Sequence, residues 1–575
     1  MIKDIIVFVF VVLLFIVVDY TTLALSKSST TTTIEYYFKQ DDISSGSSSS
    51  SSGESSKEWY SLTSQYQVVK GKNVQGSIAW GYFKDDMLID GWGKLSIETS
   101  SILNDDVAFK AAGYLEGYLT WPHIYNFSVN LFNTNFNTTN PKEFPIEVMN
   151  FISQNYNYMT QLVNSTTSQN DPYYQQVSNA IDQIQGLYQG YNDAADSDHQ
   201  LTFWEMYLIS LYVEIGDIMS AVMPSSSHEF KPMSREEAET VLAKTDHCTG
   251  FMKLASNGSE LYIGHTTWAD YTYMIRIYKR LKIPVASTPN GYETLMASYP
   301  GLLVSTDDFY MIRPSKLMVT ETLNTLLNQT LYSLITPDSL MYWVRNLVAN
   351  RLSNSGYDWV TYFVKHNSGT NNNQYSIVDY KLFTPYVTLP ADTLWVVEQY
   401  PGGYQAADLT FNLLENGYWA SYNRPYFQEV FDLMGYPYYV NQYGDLFTYE
   451  YNPRANILRR DQSKVDSLDD MMNVISYNEY LTDPLSTGSA GGAIAARYDL
   501  KGGPDHPYSW FYHGTHGGID GKVMNSAMFD SYTVLARNGP TVTDECPPFT
   551  WADWQDNSHA GMPDEFNFPW ILIQI

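Results

Sequence analysis

The residue whose neighbours best equip it for chemistry is Cys248, one of two cysteines in a chain of 575 residues. A thiol near a histidine is an ordinary arrangement for nucleophilic catalysis, because the thiolate reacts and a neighbouring base or cation favours it. The local sequence brings one near. Cys248-Thr249-Gly250-Phe251-Met252-Lys253-Leu254-Ala255 has strand character, Asn257-Gly258 is the strongest two-residue hairpin turn, and Glu260 to His265 supplies the returning strand. Pairing Ser256 with Ser259 sets Gly250 opposite His265 and Cys248 opposite Thr267, with Trp268 adjacent. On spacing alone the plainer reading is the stronger one: a small buried cysteine at a strand start and a hydrogen-bonded core histidine.

The elements that must hold this hairpin can be read on either side of it. Ahead of it, Ser234 and Glu237 make a capping box for a short helix ending near Lys244, after a linker that starts at Pro224-Ser225-Ser226-Ser227-His228. Beyond Trp268, the spacing of Tyr271, Met274, Ile275 and Tyr278, with Arg276, Lys279 and Arg280 elsewhere, predicts a helix. Strand-like alternation runs from Trp59 to Ile97 and from Val107 to Ile124, and helical patterns dominate from Pro145 to Val222. Phe203 to Met223 carries Glu205, Glu214 and Asp217, so it reads as an amphipathic core helix and not as a membrane span. Without an internal repeat, the simplest account is one large α+β domain.

Composition bounds the function. With 33 basic against 62 acidic residues the formal charge is -29, which repels nucleic acid and disfavours docking on anionic membranes. The run Ile5 to Val18 behind Lys3, with Ala24-Leu25-Ser26 after it, reads as a signal peptide over residues 1–26 and not as a stable transmembrane anchor. A Ser/Thr-rich leader over 27–56 buries too little to fold. Sequons at Asn126, Asn137, Asn164, Asn257 and Asn328 fit a secretory route, to the outside or to the lysosome. Two cysteines in a secreted chain of this size are no disulfide framework, and the state of Cys546 stays open.

Several ordered motifs give Cys248 a sharper meaning. His247-Cys248-Thr249-Gly250, Gly264-His265-Thr266-Thr267-Trp268 and Met274-Ile275-Arg276-Ile277-Tyr278-Lys279 resemble the nucleophile segment of phospholipase B-like proteins. Ser305-Thr306-Asp307-Asp308-Phe309-Tyr310, Glu398-Gln399-Tyr400-Pro401-Gly402, Asn423-Arg424-Pro425-Tyr426-Phe427, Pro453-Arg454-Ala455 and His516-Gly517-Gly518-Ile519-Asp520-Gly521-Lys522 continue the series in order. The resemblance implies an αββα sandwich of the N-terminal-nucleophile hydrolase type, two stacked antiparallel sheets between helical layers. It further implies cleavage of the His247–Cys248 bond, giving fragments 57–247 and 248–575 that stay associated as one composite domain. Cys248 is then nucleophile and, through its new α-amine with an ordinary pKa of about 8, base. Asn423 is the expected oxyanion donor, and Arg454, His265, Thr267 and Trp268 the expected substrate-binding residues, with Arg459 and Arg460 competing for the Arg454 role. Cysteine appears in some relatives within Gly492-Ala493-Ile494-Ala495-Ala496-Arg497, so a family disulfide is expected to be missing here.

The implied activity is hydrolysis of fatty acyl esters of glycerophospholipids through a Cys248 thioester, with no cofactor. The alternatives are an amidase on N-acyl lipids or peptides using the same nucleophile, or a self-processed lipid- or sugar-binding glycoprotein without turnover. Asp307-Asp308 and Asp469-Asp470 are set aside as turn or helix-cap acids, and His513 with His516 as a pair without a third metal ligand, so no metal is assigned. Paired glycines at 402–403, 491–492 and 517–518 lack the context of a phosphate cradle and read as turns.

Overall fold

Residues 57–165, 170–224, 232–501 and 512–575 are described by the computed structural model. The expected signal peptide, the Ser/Thr-rich leader and most of the linker after Pro224 lie outside them.

Among the described residues, one sheet has eleven strands and a second has seven. The larger runs from Gly403–Asp408 through Leu394–Tyr400, Asn373–Asp379, Leu317–Leu323, Phe309–Arg313, Glu293–Ser298 and Arg276–Lys282. It continues through Trp92–Thr99, Ser77–Asp86 and Tyr60–Thr63 to Val68–Lys70. The smaller is built around Cys248–Leu254, flanked by Tyr418–Ser421 and Leu261–Asp270, and goes on to Asp520–Met524, Val534–Asn538 and Ile571–Ile573, with His516–Gly518 also paired to Leu261–Asp270.

Period-two alternation sorts the larger sheet's side chains into two cores. Ile277, Met296, Tyr310, Ile312, Val319 and Ile377 join Phe109, Leu115, Ile184 and Leu187 from helices Asp105–Phe136 and Pro172–Ala194. Their sequence neighbours Tyr278, Leu295, Met311, Met318 and Val378 turn the other way, onto Met252, Leu261, Ile263 and Met524 of the smaller sheet. On that sheet's other side, Phe251, Tyr262 and Val523 pack against Ile457 and Leu458 of helix Pro453–Asp461 and Met471 and Ile475 of helix Leu468–Ile475. The protein is thus α+β, with one buried cluster shared between these two large sheets.

Four local expectations are corrected. Val107–Ile124 lies inside helix Asp105–Phe136, where Gly113 and Gly117 meet the Gln183 and Leu187 carbonyls of the neighbouring helix so closely that a Cβ would overlap them. The apolar positions read as strand alternation belong to a helix whose glycines permit close helix-to-helix contact. Tyr271–Tyr278 is not a helix: a single 3-10 turn at Tyr271–Tyr273 leads into strand Arg276–Lys282. Its charges mislead, because Arg276 and Lys279 are buried and paired with Asp307 and Glu116. Phe203–Met223 divides into helices Phe203–Ser210 and Ile215–Val222. The expected antiparallel pairing also has an exception, since Trp92–Thr99 runs parallel to Arg276–Lys282 over seven residue pairs from Trp92↔Arg276 to Glu98↔Lys282. Among the described residues no helix is long and apolar enough to cross a membrane.

Candidate functional site

The hairpin forms in the register its Asn-Gly turn dictates, with Cys248 opposite Thr267 and Gly250 opposite His265. Helix Arg235–Thr245 precedes it, closed at its start by the reciprocal Ser234–Glu237 capping box. Asp246 and His247 are the two residues between helix and strand, so the chain enters the sheet at a fixed point.

The peptide bond before Cys248 is held from several sides. The Trp268 backbone N–H donates to the His247 carbonyl oxygen. The Arg454 guanidinium donates through Nη1 to the Cys248 carbonyl at 2.8 Å, to Asn423 Oδ1 at 2.8 Å and to Thr249 Oγ1 at 3.2 Å. Its Nη2 pairs with Asp246 at 2.9 Å, its plane lies 4.2 Å from the Trp268 ring, and Arg424 takes the other Asp246 oxygen at 2.9 Å. All six side chains are buried. Burial lowers the Arg454 pKa to about 10, with Asp246 working to raise it. The Asn423 amide donates one hydrogen to the Leu323 carbonyl at 2.6 Å, which leaves its second N–H available, and its backbone is left-handed at φ 66°.

The Cys248 thiol is buried and points at Glu321 Oε1, 3.8 Å away. Burial pushes its pKa well above the ordinary value, with Glu321 and Asp307 adding to the effect. His265 Nε2 lies 2.8 Å from the Glu321 backbone carbonyl. Burial drops the His265 pKa to about 3, that of His247 to about 3 and that of His516 to about 4. Burial thus favours the neutral form of all three rings.

Behind Thr267 sits a buried ionic cluster. Lys522 Nζ donates to Thr267 Oγ1 at 2.6 Å and to both Asp520 oxygens, at 2.8 and 2.6 Å, while Asp520 Oδ1 accepts from the Thr267 N–H at 2.9 Å. Arg276 pairs with Asp307 and, at 2.8 Å, with Asp520. Burial works to raise the Asp520 pKa, but Lys522 and Arg276 outweigh it and hold the carboxyl below its ordinary value. Two carboxylates and two cations balance here, as buried charge requires. Asp307 and Asp308 do lie in the bend before strand Phe309–Arg313, but their side chains turn inward: Asp307 belongs to this cluster, and Asp308 accepts from Tyr342 at 3.0 Å deep in the core. Asp469 and Asp470 do sit in a helix first turn capped by Ser467.

Two cavities lie near this point. A small one, with internal room of about 10 Å³ and so about one water, is lined by His247, Cys248, Thr267, Trp268, Asp307 and Glu321. A larger, open one of about 390 Å³ is lined by Asp246, Arg424, Arg454, Tyr498 and Tyr512 together with Leu242 of the preceding helix. Asp246 lines the larger and His247 the smaller, so consecutive residues face the two.

The expected site residues thus divide. Cys248, Thr267 and Trp268 share the small cavity, Arg454 faces the large one, and Asn423 joins them through Arg454. His265 contacts the Glu321 backbone from within the sheet. Arg460 pairs with Asp461 and Asp483, and Arg459 with the Glu450 carbonyl and Asn456, so neither reaches this point. His513 and His516 each hold a backbone carbonyl, of Asp499 and Asp246. Cys546 is free and buried, its thiol 3.6 Å from the Asn478 carbonyl. Asn137, Asn164 and Asn257 are exposed, whereas Asn126 and Asn328 are half-buried and Asn328 caps a 3-10 turn. Asp246, Glu321, Asp520, Lys522 and Arg276 were not singled out as site residues. One signal was present: Asp520 and Lys522, two apart in a strand, must share a face.

The family described as Phospholipase B matches residues 79–573. The chain is 63% identical to phospholipase B-like protein E of Dictyostelium discoideum over 526 residues, 91% of this chain and 95% of that one. It is 32% identical to phospholipase B-like 1 of Rattus norvegicus, over 90% of this chain and 91% of that one. It is likewise 32% identical to phospholipase-B 81 of Drysdalia coronoides, over 90% and 92%.

Proposed function

The chain belongs to the phospholipase B family, and from that premise we propose that it is a secreted or lysosomal acyl hydrolase that removes fatty acyl chains from glycerophospholipids through a thioester on Cys248, after cutting its own His247–Cys248 bond. The observation that carries this reading is the environment of that bond. A backbone N–H already sits on the His247 carbonyl oxygen, where negative charge develops when a thiolate attacks, and the Cys248 carbonyl on the other side is pinned by Arg454. An αββα layering of the N-terminal-nucleophile type accords with the three buried clusters, which alternate across both sheets.

In self-cleavage, Cys248 Sγ bonds to the His247 carbonyl carbon, the C–N bond breaks, and the thiol proton ends on the departing Cys248 amine. Water then opens the thioester, giving a His247 carboxylate and restoring the thiol. In turnover, the Cys248 amine takes the thiol proton, the thiolate attacks the ester carbonyl, and the ammonium returns the proton to the leaving alcohol. Water, deprotonated by the same amine, releases the fatty acid. The free Asn423 N–H and the Trp268 N–H are the oxyanion donors in this account, and Arg454 and the open cavity receive the polar end of the lipid. Before cleavage the thiol is buried and protonated, so the uncut chain is inactive. Fragments 57–247 and 248–575 stay together through the parallel strand pair that joins them.

The test is fatty acid release from phosphatidylcholine by the purified cleaved protein. Release that is lost in Cys248→Ala supports the reading. Release from an N-acyl amide but not from phosphatidylcholine makes the protein an amidase, and retention of lipid without turnover makes it a binder.

A further inference from the structure

The mechanism above leaves two buried groups beside Cys248 unused. Glu321 Oε2 and His265 Nδ1 have no hydrogen-bond partner although both side chains are buried. Such orphans are costly, on the order of 1–3 kcal/mol each, and in a native fold each calls for a reason. A backbone carbonyl can only accept, so His265 Nε2, bonded to the Glu321 carbonyl, carries the proton and Nδ1 keeps its lone pair. A ring fixed by its second nitrogen on a backbone carbonyl is the arrangement that metal-ligating histidines show.

We propose that Cys248, His265 and Glu321 form a zinc site, and that Zn2+ bound there blocks the nucleophile. Ligand atoms of these three residues all lie within 4.8 Å of one another. Tetrahedral zinc with bonds of about 2.0–2.3 Å needs its ligands roughly 3.4–3.7 Å apart, and Cys248 Sγ and Glu321 Oε1 are already 3.8 Å apart. Thiolate, imidazole and carboxylate are together a borderline-soft donor set that suits zinc better than calcium or magnesium. Charge closes as well: zinc displaces the thiol and carboxyl protons to solvent, and Zn2+ with one thiolate and one carboxylate is neutral, which burial tolerates. The adjoining small space of about one water leaves room for the fourth position. After cleavage the Cys248 amine can take it, closing a five-membered chelate with its own thiolate. The three side-chain ligands exist whether or not the chain is cut; only the inhibitory consequence rests on Cys248 being the nucleophile.

The experiment uses the untagged full chain, stripped with chelator and then equilibrated with Zn2+ alone, or with Co2+ as a spectroscopic substitute. Expected are one tightly held zinc per chain and a thiolate-to-cobalt absorption band. The band disappears in Cys248→Ser and persists in Cys546→Ser, and zinc affinity falls more than about tenfold in Glu321→Gln, the low end of what even outer-shell changes cost at metal sites. All three variants are near-isosteric, and unchanged elution and unfolding midpoint confirm their fold. No zinc uptake by wild type, or a band that survives Cys248→Ser, overturns the proposal. Either result leaves a fragment beginning at Cys248 unaffected, so the zinc site and the self-cleavage reading fail separately.

Discussion

Replacing Arg454 by Lys separates the charge at the cleavage site from its geometry. The guanidinium makes four hydrogen bonds at once, to the Cys248 carbonyl, Asn423, Thr249 and Asp246, and stacks on Trp268. A lysine ammonium keeps the charge but not the planar fork, and from this position satisfies at most the Asp246 carboxylate and one neighbour. Two lost bonds at roughly 1 kcal/mol each, with the charge retained, put the cost at about 2–3 kcal/mol. If those contacts hold the scissile bond in its reactive geometry, self-cleavage slows by roughly 30- to 150-fold, at about 1.4 kcal/mol per tenfold. The same energy moves the unfolding midpoint of a body this large by only about 2–3 °C, since unfolding entropy scales with chain length. The assay is the time course of fragment appearance in purified precursor, with thermal unfolding alongside. A normal cleavage rate refutes the argument, as does a fold so damaged that rate and stability fall together.

Stability should also rise as pH falls from 8 to about 5. Burial raises Glu214 and Glu398 to about 7 and Asp217 and Asp270 to about 6, so the stability these protonated carboxyls contribute is present at low pH and lost as pH rises through those values. His247, His265 and His516, lowered to about 3, 3 and 4, act oppositely, contributing stability above about 6.5 that is lost as pH falls. Four carboxyls against three histidines leave a net gain on the order of a few kcal/mol, which a higher unfolding midpoint at pH 5 than at pH 8 verifies and the reverse order refutes. Gly190→Ala should destabilise by about 1–3 kcal/mol, because its Cβ would overlap the Tyr114 carbonyl across the helix pair; an unchanged midpoint would show that the helices can part freely. After cleavage the two fragments should elute as one particle and separate only in denaturant, since strand Trp92–Thr99 of one is paired along its length with strand Arg276–Lys282 of the other.

How much of this was legible in sequence depended on the range of the interaction. The Cys248 hairpin and the Ser234–Glu237 cap follow from turn and capping chemistry within a few residues, and both formed as read. Arg276 and Lys279 misled because charged residues ordinarily mark a solvent face, whereas their partners Asp307 and Glu116 come from distant segments. Glu321 carries no local signal and matters because the fold carries Leu317–Leu323 to Cys248; Asp246, two residues from Cys248, matters because the fold brings Arg424 and Arg454 to it. Arg454 and Asn423 were reached only through family resemblance, and their hydrogen bond to each other is a tertiary fact that spacing does not contain.

The most direct test is N-terminal sequencing and intact mass of the purified protein before and after acid incubation. A fragment beginning Cys-Thr-Gly-Phe, absent from Cys248→Ala, is the predicted result. A chain that stays whole across His247–Cys248 and still releases fatty acid from phospholipid would contradict it.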